Sequence, residues 1–261
     1  MDDSLAPSLA IPADGSPSTP EAGQAASVEG RSRGRVLAVV PGYNEAARIA
    51  PVVSGALAHV PVLVVDDGSR DETAVVAEAA GARVIRQQPN QGKGAALRTG
   101  FRRALDQGYA AVVTLDADGQ HDPAEIPRFL RAWQRSGADL VVGERDFGQM
   151  PPVRRLANTL GGLALSWAVG QSIPDNQSGY RLLSRRLMEL VVDSREAGFE
   201  LEVEMIALCV RERLRIEWVP ISTIYAGEGS HIQPWRHFTS FLRVTRAARR
   251  IAREAPRTGA G

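Results

Sequence analysis

Residues 110–121 read Ala-Ala-Val-Val-Thr-Leu-Asp-Ala-Asp-Gly-Gln-His. Ala110 to Leu115 reads as a buried strand, and it ends abruptly in two carboxylates, Asp116 and Asp118. Carboxylates at i and i+2 can both turn toward one ion once the regularity of the strand breaks. Oxygen ligands of this kind suit Mg²⁺ or Mn²⁺, whose shells are completed by water and substrate phosphates. Gln120 adds an oxygen at the same edge and His121 a nitrogen. Asp and Gly also form ordinary solvated turns, so the neighbouring segments decide what this one means.

The same grammar recurs on the amino-terminal side. Arg35 to Val40, Pro61 to Asp66 and Arg83 to Arg86 read as strands. Between them run helical stretches: one after Asn44 with Pro51 in its first turn, one to Ala80 that Ser69 and Asp71 are suited to cap, and Gly94 to Asp106. Pro123 to Arg135 is a further helix and Asp139 to Val142 a fifth strand. Alternating strands and helices predict an α/β fold, an open, mainly parallel sheet covered by helices. Ligands in such sheets bind beyond the carboxyl ends of the strands. Pro41-Gly-Tyr-Asn-Glu45, Asp66-Asp-Gly-Ser69 and Asp116-Ala-Asp-Gly-Gln-His121 all fall at those ends, so three loops should converge on one crevice.

Beyond the fifth strand the pattern is less regular. Arg155 to Val169 and Phe199 to Arg213 read as helices, Arg215 to Val219 and Ser222 to Ala226 as short strands. Pro234 to Glu254 reads as a basic amphipathic helix followed by a loose tail. The first 34 residues, rich in Ala, Ser, Pro and Gly, are expected to be unstructured. The division is therefore a tail over 1–34, a domain over 35–233, and a basic helix with its tail over 234–261.

Composition narrows the function classes. Of 261 residues, 31 are Lys or Arg and 30 Asp or Glu, so bulk charge gives no reason to expect nucleic-acid binding. The single cysteine, Cys209, excludes a disulfide within the monomer and reads as a core residue in a reducing compartment. The amino end carries Asp2 and Asp3 and no long apolar run follows, which argues against a secretory signal. The stretch from Leu160 to Ile173 is too short and Gly-broken to span a bilayer, which needs about 20 apolar residues. The expected protein is cytoplasmic, soluble or peripheral at the inner face of the membrane.

Asn90-Gln-Gly-Lys-Gly94 is not a P-loop: its early Gly is missing and Gly94 stands in place of Ser or Thr. Lys93 at a helix start can still present an ammonium and backbone donors to an anion. An Asp66 carboxylate could accept from a base or ribose, although an Asp-Gly turn before a capped helix explains that segment equally well.

Taken in order and spacing, these four segments resemble the family 2 glycosyltransferases of the GT-A fold. The branch that looks nearest is that of the dolichyl-phosphate mannose synthase-like enzymes and their bacterial polyprenyl-phosphate relatives. Gly143-Glu-Arg145, Arg155-Leu-Ala-Asn158, Asp175-Asn-Gln-Ser-Gly-Tyr-Arg181 and Glu217-Trp-Val-Pro-Ile-Ser-Thr-Ile-Tyr225, followed by Ser230-His231, support that branch. The resemblance covers roughly Val36 to Phe241. It implies that Pro41, Tyr43, Glu45 and Asp66 line a nucleoside pocket, joined by Lys93 and Ala117 in binding the nucleotide sugar. Asp116 would approach the donor, while Asp118 and Gln120 hold Mg²⁺ or Mn²⁺ against the diphosphate. Arg145 and Arg155 match arginines that receive the acceptor phosphate. Where the dolichyl branch carries an Arg and a Ser-Lys, this chain has Tyr225-Ala-Gly-Glu-Gly-Ser-His231, with His231 in place of the lysine. The transmembrane segments that close some relatives are missing.

The implied reaction is inverting transfer of a hexose from a donor of the GDP-mannose or UDP-glucose type. A lipid-phosphate acceptor is already anionic and needs no base; a hydroxyl acceptor does, and Asp175 is then the suspect. A nucleotidyltransferase releasing pyrophosphate and a non-catalytic nucleotide-sugar-binding module are the other readings. The basic carboxyl-terminal helix suits either an anionic membrane surface or packing on the domain.

Overall fold

The computed structural model describes residues 34–145, 152–193, 200–222 and 245–254; for 152–158 and 200 it describes the backbone alone. Among the described residues seven strands form one sheet: β1 (Val36–Gly42), β2 (Val62–Asp66), β3 (Arg83–Arg86), β4 (Ala111–Thr114), β5 (Leu140–Arg145), β6 (Arg181–Ser184) and β7 (Ile216–Ile221). Their order is β3-β2-β1-β4-β6-β5-β7. Six run the same way and only β6 is antiparallel to its neighbours. The α/β sheet that the alternation predicted is therefore present, with one reversed strand that the sequence reading did not contain.

The helices are α1 (Ile49–Leu57), α2 (Thr73–Ala79), α3 (Lys93–Asp106), α4 (Ile126–Ser136) entered by a 3-10 turn at Pro123–Glu125, α5 (Pro152–Val169), α6 (Arg185–Val191), α7 (Glu200–Arg211) and α8 (245–253). Pro51 is the third residue of α1, where a missing N–H costs nothing.

Strand periodicity sorts the core into two layers. Leu37, Val39, Leu63, Val65, Val112, Leu140 and Val142 point to one face, against Leu97 and Phe101 of α3 and residues of α5, α6 and α7. Ala38, Val40, Val62, Val64, Val113 and Val141 point to the other, against Ile49 and Val53 of α1 and Phe129 and Trp133 of α4. Covered on both faces, the inner strands are continuous apolar runs rather than alternating ones. Close approach of α3 to β1 depends on Gly100, where a Cβ would collide with the side chain of Val39. Cys209 is wholly buried in the first layer, and burial pushes its thiol above the usual range.

Two topological facts place the site. The chain runs outward from β1 through β2 to β3, then returns to β4 on the other side of β1. The crevice between the carboxyl ends of β1 and β4 is thus the switch point of the sheet. Because β6 runs backwards beside β4, its amino end lies at the carboxyl end of β4: Thr114 pairs with Arg181, and the Thr114 hydroxyl donates to the Gly179 carbonyl at 2.7 Å. Residues 175–180 are thereby delivered to the same crevice.

Candidate active site

The crevice is a cleft of about 350 Å³ lined by Pro41, Gly42, Tyr43, Glu45, Asp67, Asn90, Gly92, Lys93, Asp116, Ala117 and Asp118. Five of the residues predicted to bind the donor, Pro41, Tyr43, Glu45, Lys93 and Ala117, meet Asp116 and Asp118 here. A wider adjoining hollow is bounded by Tyr43, Gly68, Arg70, Gln88, Pro89 and Asn90. Tyr43 is shared by both and is 43 % exposed.

The loops after β1 and β2 are laced together by side-chain hydrogen bonds. Asn44 donates its N–H to Ser69 Oγ at 2.9 Å and accepts from Arg70 N–H through Oδ1 at 2.9 Å. Glu45 N–H reaches Thr73 Oγ1 at 2.7 Å, and Ala46 N–H reaches Asp71 Oδ2 at 3.1 Å. Asp71 also accepts from the Thr73 backbone at 3.0 Å. It thus ties the start of α2 to the β1 loop, and the Ser69 hydroxyl serves that loop as well. Burial opposes ionisation of Asp71, but these hydrogen bonds from Thr73 and Ala46 together outweigh it and lower its pKa.

The two adjacent aspartates after β2 divide their labour. Asp66 is buried and accepts from Ser69 N–H at 3.0 Å; it does not line the cleft, where the sequence reading had put it. Asp67 does. Its carboxylate accepts from Gln91 N–H at 2.8 Å, Gly92 N–H at 2.7 Å and Gln87 Nε2 at 2.5 Å. It therefore ties down the loop that leads into α3 and aims Lys93.

Lys93 is not a loose cation awaiting an anion. Its Nζ lies 2.7 Å from Asp116 Oδ1 and 3.0 Å from Glu202 Oε1. Burial alone would favour the neutral amine, but the two carboxylates overcome it and raise the pKa. Asp116 is likewise held ionised against burial by Lys93 and its other charged neighbours. Gly179 is packed against this pair: a Cβ there would lie 2.7 Å from Asp116 Oδ2 and 3.0 Å from Lys93 Nζ.

His121 accepts the Asp116 backbone N–H through Nδ1 at 3.1 Å, which leaves that nitrogen unable to bind an ion. Its ring is buried beside Tyr180, centroids 5.1 Å apart, and burial lowers its pKa. Tyr180 stacks on Phe129 at 4.3 Å, and its hydroxyl donates to the Asp122 carbonyl at 3.1 Å. His121 thus shapes the turn and supplies no ligand from Nδ1.

Asp118 Oδ1 accepts from Gln120 N–H at 3.0 Å, and the side chain faces the cleft. Among the described residues no three His, Cys, Asp or Glu side chains converge as a metal cage. A single cleft-facing carboxylate, with Gln120 two residues on in the same turn, fits Mg²⁺ or Mn²⁺, which take most of their ligands from water and phosphate, and does not fit a structural zinc site.

Arg145, at the end of β5, forms a two-pronged ion pair with Asp175: Nε to Oδ2 at 2.7 Å and Nη2 to Oδ1 at 2.9 Å. Asp175 Oδ1 accepts further from Gln177 N–H at 3.0 Å and Ser178 N–H at 3.3 Å. Its side chain is 1 % exposed. A carboxylate so occupied is an anchor for a guanidinium and the start of the 175–180 turn, not a base open to an acceptor. Arg145 is close enough to Asp116 to help keep it ionised. Arg155 lies on α5, with its side chain outside the description, as are His231 and the segment Thr223 to Ala226.

Three contributors escaped the sequence reading. Asp67 was visible as one of an Asp-Asp pair but could not be told from Asp66. Gly179 lay inside a quoted motif whose polar residues drew attention first. Glu202 offers one signal: it is a carboxylate in the otherwise apolar face of α7, fully buried.

Comparison with known proteins agrees with this geometry. The sequence profile of "Glycosyl transferase family 2" matches residues 37–191. The chain is 35 % identical over 206 residues to undecaprenyl-phosphate mannosyltransferase of Micrococcus luteus, covering 73 % of this chain and 84 % of that one. It is 33 % identical to polyprenol monophosphomannose synthase of Mycolicibacterium smegmatis, covering 72 % and 77 %. Among solved structures it is similar to glucosyl-3-phosphoglycerate synthase of Mycobacterium tuberculosis, crystallised with Mn²⁺, uridine diphosphate and glucosyl-3-phosphoglycerate. The TM-score there is 0.65 at 25 % identity, over 89 % of this chain and 84 % of that one. With a profile matched across more than half its length and the cleft at the switch point of a GT-A sheet, this chain belongs to glycosyl transferase family 2.

Proposed function

We propose that the protein transfers a hexosyl group, with inversion at the anomeric carbon, from a nucleotide sugar to a polyprenyl phosphate. The observation that carries this reading is the state of Asp175. A hydroxyl acceptor needs a base to take its proton. The carboxylate suspected for that task has both oxygens engaged by Arg145 and backbone donors. A phosphate monoester needs no base, and it is matched by a guanidinium held in fixed orientation. The names of the mannosyl-transferring relatives support the same acceptor class.

In this reading the nucleoside lies in the hollow beside Tyr43, and the diphosphate approaches Asp118. Asp118 and Gln120 would hold a divalent cation, which supplies Lewis-acid stabilisation of the leaving diphosphate. Asp116 faces the donor sugar, its charge balanced by Lys93. Arg145, oriented by Asp175, would meet the acceptor phosphate, and Arg155 on α5 would serve the same end. Tight, preoriented charges of this kind act on the transition state because they need no reorganisation.

A peripheral position at the membrane's inner face follows from the acceptor. No described helix is long and apolar enough to cross a membrane. Leu160, Leu163 and Trp167 of α5 are exposed at 56, 62 and 71 %, and the Arg249 guanidinium lies 4.2 Å from the Trp167 ring centre. Arg246, Arg250 and Arg253 of α8 are exposed, while Ala248 is buried in the core. The helix thus packs on the domain and shows arginines outward, which suits an anionic lipid surface.

The test is to supply radiolabelled GDP-mannose or UDP-glucose with a polyprenyl phosphate in detergent and follow label into the organic phase. Label in a lipid product that mild acid releases as free sugar supports the proposal. Label that enters only water-soluble glycosides, with any donor, overturns it.

A further inference from the structure

Glu202 lies behind the cleft with no place in the mechanism above. Its carboxylate is 3 % exposed, an unfavourable setting for a charge. It is not held there by backbone donors in the manner of Asp67 or Asp175. Oε1 faces the Lys93 ammonium at 3.0 Å, and Oε2 has no hydrogen-bond partner among the described residues. A buried ion pair that serves stability alone normally satisfies its remaining oxygens.

Its surroundings fix it from the other side. Arg181, 1 % exposed, gives its N–H groups to three main-chain carbonyls: Ser178 at 2.8 Å, Glu202 at 2.5 Å and Asn176 at 3.2 Å. The guanidinium thus clamps the backbone of Glu202 to the 175–180 turn, and the Glu202 carboxylate, close enough to help keep Arg181 charged, makes its ion pair with Lys93. Lys93, in turn, lies between Glu202 and Asp116, and the pair packs closely against Gly179.

We propose that Glu202 is a positioning residue for glycosyl transfer: by sharing the Lys93 ammonium it keeps Asp116 from being fully neutralised and leaves an Asp116 oxygen open to the donor. This deepens the glycosyl-transfer reading of the same cleft and rests on it. Without Glu202 the ammonium loses one of the carboxylates that share it and bears more fully on Asp116. A carboxylate bound up in a tighter pair is a poorer acceptor for a donor hydroxyl and a poorer counter-charge at the anomeric centre.

The experiment compares Glu202→Gln, Glu202→Asp, Lys93→Met and the double variant Glu202→Gln/Lys93→Met, each with its melting temperature. Glu202→Gln should lower kcat about 10- to 100-fold, the scale of a misplaced catalytic group, with a smaller change in donor KM. Glu202→Asp should recover part of that loss. In the Lys93→Met background the Glu202 change should add no more than about twofold, since residues acting as one unit are not additive. Independent, multiplying losses would overturn the proposal, as would a loss that merely tracks the folded fraction.

A second readout needs no turnover. NMR of Lys93, the only lysine in the chain, reads the site through its ammonium resonance near neutral pH. Glu202→Gln should shift that resonance and speed exchange of its protons, because one of the carboxylates that hold it is gone. An unmoved resonance overturns the coupling even if no donor has been found. A moved resonance in a protein that transfers no sugar upholds the coupling and overturns the reading of the cleft.

Discussion

Gly179→Ala isolates the geometry of the Asp116–Lys93 pair from its chemistry. The added methyl would lie 2.7 Å from Asp116 Oδ2, where ordinary contact begins near 3.4 Å. The carboxylate must therefore yield by about 0.7 Å. The backbone cannot retreat, because the Gly179 carbonyl accepts from the buried Thr114 hydroxyl at 2.7 Å and the next residues enter β6. Gly179 has no positive φ, so Ala meets no conformational penalty there. Overpacking costs about 1–3 kcal/mol in a rigid core, but here the displaced groups are side-chain ends in a cleft. Stability should fall by less than about 2 kcal/mol. A 1 Å misplacement costs about 100-fold, so kcat should fall about 10- to 100-fold, or about 1.4–2.7 kcal/mol on the barrier. Thermal unfolding and steady-state release of nucleoside diphosphate measure the two quantities separately. A variant that folds like its parent and turns over at the parent rate would refute the reasoning, since Asp116 could then move without consequence.

Other perturbations reach other parts of the account. Asp175→Ala leaves Arg145 without its buried partner and should destabilise the fold by about 3–5 kcal/mol while raising the acceptor KM; loss of kcat alone in a fully stable protein would instead mark Asp175 as a base. Asp71 has a folded pKa below its ordinary value of 3.8. Its contribution is therefore present above that value and is lost as pH falls through it toward the lower folded pKa. The difference in stability between the parent and Asp71→Asn, measured by denaturant unfolding, should narrow below pH 4; a constant difference contradicts this. Cys209 is wholly buried with its thiol pKa raised, so a thiol reagent should react only at the unfolding rate. Rapid labelling of the folded protein would contradict the packing.

Much of this architecture is legible in local pattern. Apolar runs such as Val62–Asp66 and Ala111–Thr114 announce buried parallel strands, and the polar clusters after them mark the ligand edge. β6 is harder to read. It is four residues long, opens on a fully buried Arg181, and passes directly into α6 through the Ser184 cap. An arginine at the head of an apolar run reads as surface, because nothing local says that three main-chain carbonyls will meet it. The reversed strand then carries Gly179 against the Asp116–Lys93 pair, so missing it hides that contact. Glu202 and Asp67 were obscured for the same reason: their partners are 109 and about 25 residues away in the chain, at Lys93 and at Gln91 and Gly92. Helix propensity and turn chemistry place the loops; long-range ion pairs decide which carboxylate in each loop faces the ligand.

The central claim is that this cleft moves a sugar onto a lipid phosphate with a divalent ion held by Asp118. The most direct measurement is release of nucleoside diphosphate from a panel of GDP- and UDP-sugars, with Mg²⁺ or Mn²⁺ or a chelator, with and without a polyprenyl phosphate. The account predicts release that requires both the metal and the lipid phosphate and that disappears in Asp118→Ala while the variant stays folded. Release that persists in Asp118→Ala, or that a hydroxyl acceptor supports and the lipid phosphate does not, would contradict it.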